Sequence, residues 1–131
     1  MTQEEKQLLL VDLCTRLPYG VMVEVSNEKY FGEIKEPYIT ELCNCIYLLD
    51  DDSVCIKPYL RPMSSMTDDE RMEYFVLHHR ANDRDDNVID IEEADELVTW
   101  LYKHHFDFHK LIWKDLAMVA PEEMYKNCIN K

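Results

Sequence analysis

Two glycines in 131 residues are too few for a phosphate-cradling loop, a dinucleotide-binding Gly-x-Gly-x-x-Gly turn or a Gly-x-Ser-x-Gly nucleophile elbow, and none of these signatures occurs. With only five prolines beside them, no flexible linker or low-complexity tail can be drawn, and residues 1–131 are expected to form a single domain. Long apolar runs are missing as well. Leu8–Val11 and Ile46–Leu49 fall far short of the roughly 20 residues that span a bilayer. The opening Thr2-Gln3-Glu4-Glu5 lacks the basic region and apolar core of a secretory signal, so a cytoplasmic protein without membrane contact is expected. Five cysteines (Cys14, Cys43, Cys45, Cys55, Cys128) cannot all pair within one chain, and a cytoplasmic thiol pool keeps them reduced, so disulfides are not expected to hold the fold.

Positive charge is scarce. Against 14 Lys and Arg stand 27 Asp and Glu, a net charge of −13. Such a surface repels phosphate backbones and anionic headgroups, which argues against direct binding to a nucleic-acid backbone. Solubility is the ordinary meaning of this charge. The sharper meaning is imitation of a polyanion, because an acidic surface can occupy a protein site that normally holds nucleic acid.

What the chain does have is core-forming material: 47% hydrophobic residues, including 2 Trp, 8 Tyr and 4 Phe. Thr2 with Glu5 forms a capping-box pattern that opens a helix over about Gln3 to Arg16, with Leu10, Leu13, Cys14 and Leu17 on one face and Pro18 ending it. Tyr19–Val25 alternates as a strand does, and a weaker strand is expected near Tyr30 to Glu36. Asn44–Leu49 and Ser53–Lys57 then form a predicted hairpin with Ile46, Leu48, Val54 and Ile56 facing the core. Pro58 and Pro62 are expected to stop the sheet. Thr67 with Glu70 caps a second predicted helix to about His79, carrying Met72, Phe75, Val76 and His79 at helical spacing. Asp90 with Glu93 caps a third, whose Ile91, Ala94, Leu97, Val98, Leu101 and His105 form one stripe, and a short fourth helix is expected near His109 to Ala117. Helix, four strands and then helices predict an α+β domain. A small bent antiparallel sheet over residues 19–57 is packed by the N-terminal helix and two or three C-terminal ones.

Three residue groups carry possible chemistry. Cys43, Cys45 and Cys55 could converge on one sheet face, but a closed zinc site needs four ligands, typically from paired Cys-x2-4-Cys knuckles, so buried thiols are the simpler reading. The stretch Lys103 to Lys110 is the one locally basic segment. Its His105 and His109 are four apart, as zinc ligands on a helix often are, yet Phe106 stands where a metalloprotease helix places its Glu. No metal or cofactor is assigned to His104, His105 or His109. Lysines interleaved with aromatics can instead hold a small nucleotide by charge and stacking, so Tyr59, Arg61, Lys103, His104, His105 and Lys110 form a candidate anion pocket. The acidic run from Asp83 imitates a calcium loop, but Val88 replaces its glycine and Ala94 its bidentate Glu, which excludes an EF-hand.

The stretches Leu17-Pro18-Tyr19-Gly20-Val21, Lys57-Pro58-Tyr59-Leu60-Arg61-Pro62-Met63-Ser64-Ser65-Met66-Thr67, His105-Phe106-Asp107-Phe108 and Ala120-Pro121-Glu122-Glu123-Met124-Tyr125 resemble small uncharacterised proteins encoded by phages and prophages of gut bacteria. The resemblance implies a setting, an accessory protein inside a bacterial host, and no catalytic residue. Charge without a catalytic signature then favours non-catalytic binding of a host protein. A nucleotide sponge is the alternative, and an enzyme with an unfamiliar site the third reading.

Overall fold

A computed structural model describes residues 2–27, 37–50, 54–82 and 91–125. Helix α1 covers Gln3–Arg16, and its capping box closes in both directions, Glu5 N–H to Thr2 Oγ1 at 3.1 Å and Thr2 N–H to the Glu5 carboxylate at 3.4 Å. A turn at Leu17–Tyr19 ends with Gly20 at φ 71°, a left-handed position that glycine occupies without steric cost. Strands β1 (Met22–Asn27), β2 (Tyr38–Glu41) and β3 (Val54–Leu60) follow, then α2 (Asp68–Asn82), α3 (Ile91–Lys103) and a two-residue β4 (Met118–Val119).

The α+β class and the four-stranded sheet are as the sequence predicts, but the sheet is mixed. Its order is β2-β1-β3-β4. Strand β1 pairs antiparallel with β2 and with β3 (Val25 opposite Ile56), whereas β4 joins β3 in parallel, Tyr59 opposite Met118. The expected strand near Tyr30 to Glu36 lies outside the described residues. The expected hairpin between Asn44–Leu49 and Ser53–Lys57 does not form: Leu42–Asn44 and Ile46–Leu48 are 3₁₀ turns, and β3 takes β1 as its partner. The reason is a period of three. Leu42 and Cys45 are buried and Leu48 is half-buried, which suits three residues per turn, while Ile46 and Tyr47 face outward. Nor does Pro58 stop the sheet, since β3 runs through it to Leu60. The β4 ladder begins only at Tyr59, so among the described residues one flank of the strand carries no ladder at Pro58, and a missing donor is tolerated there.

The main core joins Leu9 and Leu13 of α1 to Val21, just before β1, and to Val23, Val25, Ile56 and Leu60 of the sheet, and is closed by Leu42, Cys45, Leu111, Leu116 and Ala117. The buried face of α1 is therefore Leu9, Asp12, Leu13 and Arg16; of the expected Leu10, Leu13, Cys14 and Leu17, Leu13 is buried and Leu17 packs half-buried against the core, while Leu10 and Cys14 are exposed. A second cluster gathers Met66, Leu101 and Phe106 with Tyr74, Leu97 and Trp100, so α3 packs chiefly with α2.

The fourth helix is reduced to one turn. Lys110 at φ 60° and Asp115 at φ 59° bracket it in left-handed conformation, which no α-helix accommodates, and the Asp107 carboxylate accepts the N–H groups of Leu111 (2.8 Å) and Ile112 (2.9 Å) at its start. The turn closes as α3 does. Leu116 N–H bonds back to Leu111 O, just as Phe106 N–H bonds to Leu101 O at the end of α3, and Asp115 and His105 occupy the left-handed position usually given to glycine.

Candidate functional site

The first region to consider is the one around the candidate anion residues. Tyr59 and Arg61 lie at the end of β3 and just beyond it, and the loop after α3 runs alongside: Arg61 N–H bonds to His105 O at 2.8 Å and Asp107 N–H to Arg61 O at 2.9 Å. The Arg61 guanidinium grips both oxygens of Glu70 (2.6 and 2.7 Å), lies 4.3 Å from the Phe106 ring centroid and donates to His104 O at 3.4 Å. Burial pushes the Glu70 carboxyl up, but its bonds from Arg61 and from the Thr67 N–H outweigh this and hold it below its ordinary value. An incoming anion at Arg61 competes with that carboxylate. His104 is half-buried, its ring 4.5 Å from Trp100. Lys103 and Lys110 stand exposed. The structure thus brings Arg61, His104 and His105 together and leaves the two lysines on the surface.

His105 is wholly buried. Its Nε2 donates to Tyr19 O at 3.0 Å, its ring stacks on Tyr125 at 4.1 Å, and Nδ1 is buried with no hydrogen-bond partner. Burial, reinforced by the nearby Arg16 charge, lowers its pKa to about 4, so the imidazole is neutral at physiological pH. The Tyr125 hydroxyl in turn donates to Tyr59 O (2.6 Å) and accepts from Met22 N–H (3.0 Å). Tyr19, Tyr59, His105 and Tyr125 therefore meet at a single node that ties the chain's two halves together.

A second buried group lies next to it. Arg16 donates from Nε to Asp12 at 2.6 Å and from Nη2 to Phe106 O at 2.7 Å, with the Tyr102 ring 5.0 Å from its guanidinium carbon. His109 Nδ1 reaches the other Asp12 oxygen at 3.0 Å. Both Asp12 and Arg16 are inaccessible to solvent, so this charge pair fastens α1 to the 102–109 segment.

Cys14, Cys43 and Cys45 form no disulfide; Cys45 is buried, while Cys14 and Cys43 are exposed. Cys43 and Cys45 both have raised pKa values, Cys43 through its hydrogen bond to Glu41 and Cys45 through burial, which keeps them protonated and weakly nucleophilic. Among the described residues no three His, Cys, Asp or Glu side chains are grouped to hold a metal ion, and no helix is long and apolar enough to cross a membrane. The acidic loop from Asp83 lies outside the described residues.

The surface feature that sequence reasoning missed is on the helical hairpin. Helix α2 turns Glu70, Tyr74 and Leu77 inward, leaving Met72 (69% exposed), Phe75 (67%) and Val76 (44%) in water rather than in the core. Helix α3 likewise exposes Ile91 and Val98. Where the end of α3 meets the start of α2, Trp100 donates from Nε1 to Glu73 at 3.0 Å and packs against Tyr74 and Phe106. Met72, Glu73, Val76, Leu77 and Trp100 line an open groove of about 380 Å³ there. A hint of this was available, because α2 carries apolar residues on more than one side: Tyr74 and Leu77 already supply an inward stripe, so Met72, Phe75 and Val76 are surplus to it.

No protein-family model matches the chain, and no curated protein or solved structure is significantly similar to it.

Proposed function

We propose that this protein acts by binding and not by chemistry, its acidic surface engaging a basic face of a host protein in the manner of a phage accessory protein. The observation that carries this reading is the exposure of Met72, Phe75 and Val76 on a helix that also presents Asp68, Asp69 and Glu73 to solvent. Grouped apolar side chains within a charged surround are a recurrent mark of a protein interface. The charge of −13 supplies long-range attraction toward a cationic partner.

Affinity capture from a bacterial lysate at low and at high salt, followed by identification of what is bound, tests the reading. A partner with a basic groove is expected at low salt and is lost as salt screens the attraction. Recovery of no such partner under either condition counts decisively against it.

A further inference from the structure

We infer that the groove between α2 and α3 is a docking site for a cationic amphipathic helix, an inference that rests on the binding role proposed above and names its site and occupant. The groove floor is apolar, from Met72, Val76, Leu77 and Trp100. Trp100 is held in place, tied to Glu73 at 3.0 Å with its ring 5.6 Å from that of Phe106, so little order has to be imposed on binding. Met72 is unbranched and polarizable, which lets the floor adapt to the side chains laid on it. A furrow between two helices with such a floor accepts anchors spaced three and four residues apart along one face of a third helix.

Charge selects among the possible occupants. The two helices carry eight carboxylate side chains against three basic ones, Arg71, Arg80 and Lys103. One of the eight, Glu70, is already engaged by Arg61. Asp68 and Asp69 lie one turn before Met72 and Glu73, and Glu96 one turn before Trp100, and all three are exposed. A second copy of this chain would bring like carboxylates face to face, each molecule carrying −13. An anionic lipid surface meets the same repulsion. An amphipathic helix with Lys or Arg on its polar face satisfies floor and rim together. Helix α2 spans about 15 residues, roughly 22 Å, which sets the length of a well-fitted occupant at about four turns.

The test uses the full chain with Trp113→Phe, a change at a side chain 85% exposed, which leaves Trp100 as the sole tryptophan. The probes are an 18-residue Leu/Lys peptide patterned as an amphipathic helix and a scrambled peptide of identical composition. At low salt the amphipathic peptide is expected to blue-shift Trp100 emission and to bind at least tenfold more tightly than the scrambled one. Met72→Ser with Val76→Ser, both exposed and neutral, is expected to abolish that tenfold preference. Equal binding of the two peptides, or an unchanged preference in the serine variant, overturns the groove while leaving salt-dependent attraction by the acidic surface standing. A concentration-dependent dimer in sedimentation that the serine variant loses overturns it in favour of a second copy. Absence of binding by either peptide also overturns it, and the lysate capture above then decides the broader role separately.

Discussion

Two buried side chains set the chemistry of this molecule's interior. Asp12 and Arg16 lie wholly out of water one helical turn apart, paired with each other and closed over by His109 and the Phe106 carbonyl. Asp12→Ala leaves a buried guanidinium uncompensated and is expected to cost about 3 to 5 kcal/mol of unfolding free energy in urea titration. His105 makes the opposite bargain by staying neutral. Its folded pKa of about 4 lies below the ordinary value of 6.5, so between these two pH values the unfolded chain binds more protons than the folded one. Stability from this residue is full above pH 6.5 and declines as pH falls toward 4, by about 3 kcal/mol in all. Urea midpoints taken from pH 7 to pH 4 are expected to fall more steeply for the wild type than for His105→Gln. Parallel curves contradict this account of the site. Neither residue was legible in the sequence as a core group: the apolar face assigned to α1 passes over Asp12 and Arg16 because charge normally marks the wet side of a helix. The pair itself is a contact within α1, but the Phe106 carbonyl and His109 that close over it and make its burial tolerable are tertiary facts.

At the scale of elements, local signals and tertiary ones parted company in a regular way. The capping boxes Thr2/Glu5 and Thr67/Glu70 are made from residues three apart, and both appear as the sequence predicts, the second with Glu70 N–H to Thr67 Oγ1 at 3.2 Å. Strand β1 was equally readable, since Val21, Val23 and Val25 alternate with half-buried neighbours. The pairing of β3 with β1 was not, because it depends on Leu42, Cys45 and Leu48 turning at a period of three instead of two, and a short apolar run reads equally well either way. The lost fourth helix has a local cause that composition largely hides: aspartate visits the left-handed region more often than most residues, but nothing about lysine announces φ near +60° at Lys110. Those positions make a prediction of their own. Lys110 is exposed, and a left-handed backbone costs an L-residue about 1 kcal/mol or more, so Lys110→Gly is expected to raise the thermal midpoint, by about 0.5 to 1 kcal/mol in stability. A lowered midpoint contradicts the assignment of strain there.

For the molecule as a whole, fold and candidate site differ in how far a sequence reaches them. Periodicity reaches only part of the core: Leu13, Ile56 and Leu101 are buried as their patterns imply, while Leu10, Ile46 and Val98 are exposed. The α2–α3 face is defined by what the core leaves over: the sequence shows that α2 carries more apolar residues than one stripe holds, and packing decides that Tyr74 and Leu77 turn inward while Met72, Phe75 and Val76 do not. Of the candidate anion residues, Arg61 is bound to Glu70 and His105 serves the buried node, roles that depend on neighbours nine to 86 residues away. What composition does convey is the field. A charge of −13 acts over distances of about a Debye length whatever the fold, and the hairpin adds an apolar surface against which an attracted partner can settle. The most direct measurement is the dissociation constant for the partner recovered by capture, determined with purified components from 50 to 500 mM salt. Affinity that weakens steeply as salt rises, and more gently when Asp68, Asp69 and Glu96 are replaced by their amides, is the predicted result. Affinity indifferent to salt and to those replacements contradicts the account.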